Sequence, residues 1–195
     1  MRREPAVMDG VALLERAVTY VLGSLALADP AALRERTPCR QWDLRALLAH
    51  LADSLTALHE AAETGHVPMT APTGAGDDPV AAVRDRARLL IGAWADPGRG
   101  TVSIEDHSLT AGVVTCAGAL EIAVHGWDIA WSCAAPRPVP DALAGELLDL
   151  APLFVSDVDR PHRFGLPVAV STGASPSDRL VAYCGRDPSV SSAQS

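Results

Sequence analysis

Four long segments of the chain carry apolar residues at steps of three and four, and this period limits the fold more than any other feature. In the first segment these residues are Val11, Leu14, Val18, Val21 and Leu25. Such steps place side chains on one face of an α-helix. We therefore predict an all-α chain in which amphipathic helices bury these faces. The aromatic content of 4% also disfavours a β-sandwich or barrel.

Polar residues before the apolar stripes predict where the helices begin. Asp9, Asp43 and Asp78 precede the first three stripes and are expected to be N-cap residues. A proline follows Asp78, where its missing N–H costs nothing. The fourth helix is predicted over 111–133, and a fifth is predicted to be capped by Asp141. The pattern is that of a four-helix bundle with one additional helix.

The composition changes after the fifth helix. Residues 164–170 are predicted to be extended and are followed by a short helix. We expect a helical bundle over 9–160, a small C-terminal extended and helical appendage packed on it over 161–188, and a disordered polar tail over 189–195.

Charge and composition exclude several classes of function. The formal charge is −8, and all 16 basic residues are arginines that form no basic run, so nucleic acid and anionic membranes are not expected partners. No stretch approaches the roughly 18 apolar residues of a membrane span. The four cysteines form no C-x-x-C pair and are expected to be free thiols in a reducing cytoplasm. We expect a cytoplasmic monomer or homodimer that acts on a small molecule.

The fourth helix carries a pair of residues suited to metal binding. Glu121 and His125 lie four residues apart and therefore share one helix face. Their neighbours are mostly apolar, and a buried carboxylate must be paired or must bind a metal. The alternative is a solvated pair of helix neighbours. Asp128 follows three residues later and is expected to orient the imidazole, or else to pair with an arginine.

His50 lies beside the leucine stripe of the second helix and is the third candidate ligand. With Glu121 and His125 it makes a set of two imidazoles and one carboxylate, typical of Zn²⁺ and of other first-row divalent metals. Three protein ligands leave a coordination position open, as in catalytic sites. The alternative for His50 is a core-edge histidine that binds a backbone carbonyl.

Other residues are weaker candidates. Trp127 and Trp131 are expected to line a small-molecule pocket, although aromatic stripes are also common in cores. Cys39, near a helix start, is either a small packed residue or a thiol whose pKa the helix dipole lowers. The other histidines are expected to lie outside the site: His59, His66, His107 and His162.

Three motifs occur in order along the chain. They are TPCRQWDLR at 37–45 with LAHL at 48–51, EIAVHGWDIA at 121–130, and FGLPV at 164–168 with GRDP at 185–188. Together they resemble the actinobacterial metal-binding proteins of the mycothiol-dependent maleylpyruvate isomerase family, within the DinB-like superfamily.

The resemblance implies a DinB-like up-down-down-up four-helix bundle. It also implies a divalent metal, usually zinc, on His50, Glu121 and His125, and mycothiol as a co-substrate in several members. In such members the metal deprotonates the thiol, which adds to an electrophile in an isomerisation or a thiol transfer. Two other functions remain open: a biosynthetic or detoxifying enzyme that uses the bundle pocket without a thiol, and a non-catalytic metal-binding stress protein.

Overall fold

The computed structural model describes residues 9–39, 41–67, 76–95, 100–158, 160 and 164–190. Within these residues the predicted helical architecture is confirmed, and a short 3₁₀ helix follows the first α-helix. The α-helices are α1 (Gly10–Leu25), α2 (Leu44–Thr64), α3 (Pro79–Leu90), α4 (Ala111–Ser132), α5 (Asp141–Phe154) and α6 (Pro176–Tyr183).

The predicted caps explain most of the helix starts. The carboxylates of Asp9, Asp43 and Asp78 each accept a hydrogen bond from a backbone N–H three residues later, at 2.8–3.1 Å. One cap differs from prediction, because Asp141 is the first residue of α5 and makes no capping bond. The helix α3 ends at Leu90, and Trp94 lies in the turn that follows it.

Close contacts at glycines show the relative directions of α1, α2 and α4. A methyl group built on Gly126 of α4 would lie 2.8 Å from Cε1 of Tyr20 in α1, and Gly10 at the start of α1 lies against the start of α4. The two helices are therefore parallel. On α2, Leu58 lies against Gly118 of α4, while the earlier α2 residue His50 reaches Glu121. The helix α2 is therefore antiparallel to α4, as an up-down-down-up bundle requires.

A small sheet forms in segments that the sequence predicts as loops. Its strands are β1 (His66–Val67), β2 (Thr101–Ile104) and β3 (His107–Thr110). Strand β2 pairs in parallel with β1 and antiparallel with β3. His66 and His107 consequently lie on strands, although both remain exposed. Strands of two and four residues are too short for an alternating pattern to be recognised in a sequence.

The helix α4 forms the centre of the bundle. Among the described residues it is the one helix long and apolar enough to cross a membrane by length and composition, with a mean hydropathy of 1.2 over 18 residues. The sequence expectation of no such stretch was therefore too strict. However, 83% of that window is buried inside the protein, as is typical of the core helix of a bundle.

The C-terminal residues pack back on the bundle through α6, which lies against α5. Val168 donates its N–H to the carbonyl of Ala182 at 2.9 Å. In the predicted tail, the indole Nε1–H of Trp131 donates to the carbonyl of Val190 at 2.7 Å. Residues 191–195 lie outside the described residues, as does the histidine at 162.

Candidate metal centre

The antiparallel packing of α2 on α4 brings His50, Glu121 and His125 together. The Nε2 atom of His50 lies 2.6 Å from Oε1 of Glu121, and Nε2 of His125 lies 3.2 Å from the same oxygen. The two imidazole rings meet edge to face, with centroids 5.2 Å apart. One ligand atom from each residue lies within 4.8 Å of the other two. We call these three residues the ligand cluster.

The ligand cluster is closed on one side and open on the other. The side chain of His125 is 7% exposed, while Glu121 and His50 are 29% and 38% exposed. Two imidazole nitrogens and one carboxylate oxygen form a donor set that fits Zn²⁺ or a similar divalent metal. The partial exposure of His50 and Glu121 would give a small molecule access to an ion held there.

Asp128 lies behind His125 and fixes the orientation of its ring. Its Oδ2 atom is 2.9 Å from Nδ1 of His125, and the carboxylate is fully buried. An ionised carboxylate can only accept, so Nδ1 must donate the hydrogen of this bond. The other nitrogen, Nε2, then faces Glu121. A carboxylate on the far nitrogen is the usual support for a metal-binding histidine.

The electrostatics of the site follow from this arrangement. Burial alone lowers the pKa of His125, but Glu121 and Asp128 outweigh it and raise the pKa to about 9. Burial raises the pKa of Glu121, but the two histidines hold it well below its usual range. The ligand cluster therefore concentrates charged groups that compensate one another, as a cation site that is partly removed from water must.

Arg186, from the residue stretch after α6, completes the surroundings of Asp128. Its Nε–H donates to Oδ1 of Asp128 at 3.1 Å, and its Nη2 donates to Oδ2 at 2.8 Å. The two roles considered for Asp128 therefore occur together, since it binds both the imidazole and an arginine. The sequence did not identify this arginine, and the one available signal was its place in the GRDP motif.

Cys39 contacts the same network but does not behave as an activated thiol. Its Sγ accepts a hydrogen bond from Nη2 of Arg186 at 3.2 Å and lies 3.7 Å from Oδ2 of Asp128. Burial, reinforced by the charge of Asp128, raises the pKa of the thiol to about 12. Of the two alternatives for Cys39, the packed residue therefore describes it better than a thiol with a lowered pKa.

Trp42 forms a wall of the site that sequence reasoning missed. Its ring centroid lies 4.7 Å from that of His50 and 6.3 Å from that of His125. The hydroxyl of Thr37 lies 2.8 Å from the carbonyl oxygen of Trp42 and fixes the turn that precedes α2. In the sequence, Trp42 is visible only as one residue of the motif at 37–45.

Trp127 and Trp131 lie on a different side of α4. They line a cavity of about 250 Å³ together with residues 134–138 and 188–190, and the lining includes no member of the ligand cluster. Of the other histidines, His59 lies 3.8 Å from Glu63, and Nδ1 of His66 bonds to a serine on β2. None of the described histidines outside the cluster joins it.

The comparisons agree on one family. A family model described as the mycothiol maleylpyruvate isomerase N-terminal domain matches residues 14–130, well over half of the chain and including the whole ligand cluster. A search of curated proteins finds no match.

Two solved structures are similar to the chain. One is a mycothiol-dependent maleylpyruvate isomerase, with 20% identity and a TM-score of 0.52. The other is a histidine-to-alanine mutant of such an isomerase, with 18% identity and a TM-score of 0.55. Each match covers 72% of this chain and 66% of the other, just under two thirds of that protein's length. At this identity the two structures establish a shared fold.

Proposed function

The chain belongs to the family of the mycothiol maleylpyruvate isomerase N-terminal domain, and from this premise we propose that it is a divalent-metal-dependent enzyme that activates a small thiol. The observation that carries the proposal is the ligand cluster, in which His50, Glu121 and His125 converge from two helices. The partial exposure of His50 and Glu121 supports a catalytic rather than a structural metal, because structural sites are closed by four protein ligands.

Each residue of the site has a separate role in this proposal. His50, Glu121 and His125 would hold the metal, and Asp128 would keep the imidazole of His125 oriented toward it. A divalent cation in this position supplies positive charge that lowers the pKa of a coordinating thiol. The carboxylate of Glu121 offsets part of the charge of the ion, so the buried site does not carry an uncompensated cation.

The thiol is proposed to come from a co-substrate of the mycothiol type. This is supported by the solved relatives, which are mycothiol-dependent isomerases, and by the family model, whose description also names mycothiol. The thiolate would add to an electrophilic small molecule, which gives an isomerisation if the thiol leaves again and a thiol transfer if it stays. The protein's own Cys39 is a poor substitute, because burial keeps its thiol protonated.

The first test measures metal binding by matched histidine variants. We expect elemental analysis to find one divalent ion per chain. Titration of Zn²⁺ into chelator-treated protein should show that His50→Ala loses most of the affinity while helical circular dichroism is retained. His59→Ala is the control, because His59 lies on the same helix but pairs with Glu63 outside the cluster. Full metal occupancy in His50→Ala would reject the ligand assignment.

The second test separates the thiol-dependent function from its alternatives. We expect mycothiol to bind the metal-loaded protein in a calorimetric titration and not to bind after metal removal. A metal-loaded protein that ignores mycothiol would indicate an enzyme that works without a thiol. If metal removal unfolds the chain, the metal has a structural role, as in a non-catalytic binding protein.

A further inference from the structure

Arg186 occupies a position in which a charged side chain needs a specific reason to be buried. The residue is 6% exposed, and its partner Asp128 is not exposed at all. Two N–H groups of the guanidinium donate to the two oxygens of the carboxylate. This bidentate arrangement fixes the plane of the carboxylate as well as its position, which a single point charge cannot do.

Backbone carbonyl groups near Arg186 fix the position of its guanidinium group. Its third group, Nη1, donates to the carbonyl of Cys184 at 2.8 Å, and its own N–H donates to the carbonyl of Val181 at 2.9 Å. Gly185 has a φ of +83°, and a methyl group there would lie 2.5 Å from Cα of Gly165. The turn after α6 is therefore tightly constrained, and the arginine is directed into the bundle by the end of a helix.

A chain of contacts connects this turn to the ligand cluster. Arg186 holds Asp128, the Oδ2 atom of Asp128 accepts the Nδ1–H of His125, and Nε2 of His125 faces Glu121. The guanidinium of Arg186 also supplies the positive charge that faces both oxygens of the Asp128 carboxylate, which has no contact with solvent. Without the arginine, a fully buried carboxylate would lose its main compensating charge and its fixed orientation.

We propose that Arg186 is a positioning residue of the metal centre, which acts through Asp128 to hold His125 in the orientation that binds the metal. This proposal rests on the proposed function for the metal itself. It makes the end of α6 part of the centre, although α6 supplies no ligand. Because binding free energies are reciprocally linked, metal binding should in turn protect α6 from local opening.

The test compares two substitutions of Arg186 with a matched arginine. Arg186→Met removes the charge and the fork, whereas Arg186→Lys keeps a positive charge without the fork, which protects folding. Arg160→Met is the control. Arg160 is also buried, and it donates to the carbonyls of Gly165 and Tyr183 in the same region, with no bond to Asp128.

Zn²⁺ affinity is the first readout. We expect Arg186→Met to weaken binding by roughly 10- to 100-fold, as substitutions of residues that support a ligand do. Arg186→Lys should fall between Arg186→Met and the wild type, because an ammonium group cannot bind both carboxylate oxygens. Arg160→Met should lower the melting temperature and leave the Zn²⁺ affinity unchanged. A folded Arg186→Lys protein with wild-type affinity would overturn the proposal.

The second readout needs no metal. In metal-free protein, proton NMR should show the Nδ1–H of His125 as a slowly exchanging signal, because this hydrogen is bonded to the buried Asp128. We expect the signal to persist in Arg160→Met and to be lost in both Arg186 variants. If the wild type binds no metal, the proposed function fails, while this signal still decides the role of Arg186. A wild-type signal in Arg186→Lys would contradict that role.

Discussion

His125 is held at both ring nitrogens, by Glu121 at Nε2 and by Asp128 at Nδ1. A histidine in free solution has neither constraint, so its ring must be ordered before it can bind a metal. In this protein the two contacts already order the ring in the folded chain. The contacts of individual side chains therefore determine how well the centre is preorganised. The contact that matters most directly is the hydrogen bond between Asp128 and His125.

Replacing Asp128 by asparagine tests this dependence. Asp128→Asn keeps the size of the side chain but removes the charge that faces Arg186 and one of the two carboxylate acceptors. We expect the Zn²⁺ affinity, measured by competition with a chromophoric chelator, to fall by roughly 10- to 100-fold. His125→Ala should lose binding almost completely, because it removes a ligand.

Asp149→Asn is a suitable control for that experiment, because Asp149 is exposed on α5. It should leave the Zn²⁺ affinity unchanged. If Asp128→Asn were as damaging as His125→Ala, Asp128 would itself be a ligand. If it had no effect, the hydrogen bond to His125 would contribute nothing to the centre.

Periodicity within single helices made part of this site predictable. Glu121 and His125 share a face because of their spacing on one helix, and His50 lies beside a leucine stripe. Cys39 and Arg186 could not be placed in this way, because 147 positions separate the two residues and only tertiary packing brings them into contact. Helical spacing carries no information about such contacts, so the sequence could not identify Arg186 and Cys39 as the residues that contact Asp128.

Among the elements, α4 is packed most closely, and its glycines permit that packing. Gly126, next to His125, lies against the ring of Tyr20 and the backbone of Val21 in α1. Gly118 lies against Leu58 of α2 in the same way. The absence of side chains at these positions allows two helices to approach α4, and the close approach of α2 brings His50 within reach of Glu121 and His125.

Adding one methyl group at Gly126 should therefore destabilise the bundle. The methyl of Gly126→Ala would lie 2.8 Å from Cε1 of Tyr20 and 3.4 Å from Cα of Val21. Alanine favours a helix more than glycine does, but overpacking a core typically costs about 1–3 kcal/mol. We expect the free energy of unfolding in urea to fall by an amount in that range.

The opposite sign is expected for Gly145→Ala in α5. Nothing lies within 4 Å of a methyl group built there, so the higher helix propensity of alanine should raise the unfolding free energy by about 0.5–1 kcal/mol. Equal effects of the two substitutions would show that the close approach of α1 and α4 has no energetic importance.

The limits of prediction at this scale have a simple physical origin. Local hydrogen bonds start the helices, so Asp9, Asp43 and Asp78 could be identified as caps from the sequence. The sheet depends instead on pairing between β1 and β2, which are more than 30 residues apart. Neither strand is long enough to show a pattern of its own, and only the folded bundle brings them side by side.

For the whole molecule, the important property is that one buried network joins segments from across the chain. The turn before α2 contributes Cys39, α4 contributes Asp128, and the stretch after α6 contributes Arg186. The ligand cluster lies at the exposed end of this network. The thiol of Cys39 is therefore part of the support around the centre, and the proposed nucleophile has to come from solution.

This division of roles predicts different responses to the loss of metal and to the loss of cysteines. With mycothiol and an electrophilic small molecule as test substrate, chelation should abolish thiol-dependent turnover, because the proposed activation of the thiol requires the cation. Replacing one cysteine at a time by serine or alanine should leave turnover largely intact. The four cysteines are Cys39, Cys116, Cys133 and Cys184. Burial raises the pKa of all four thiols, so each is poorly suited to act as a thiolate near neutral pH.

Cys39→Ser is the most demanding case, since it alters the contact with Arg186, and its Zn²⁺ affinity should be measured in parallel. Turnover that survives complete metal removal, or that is lost with a single cysteine in a folded, metal-loaded protein, would reject the mechanism and favour an enzyme that uses its pocket without an external thiol.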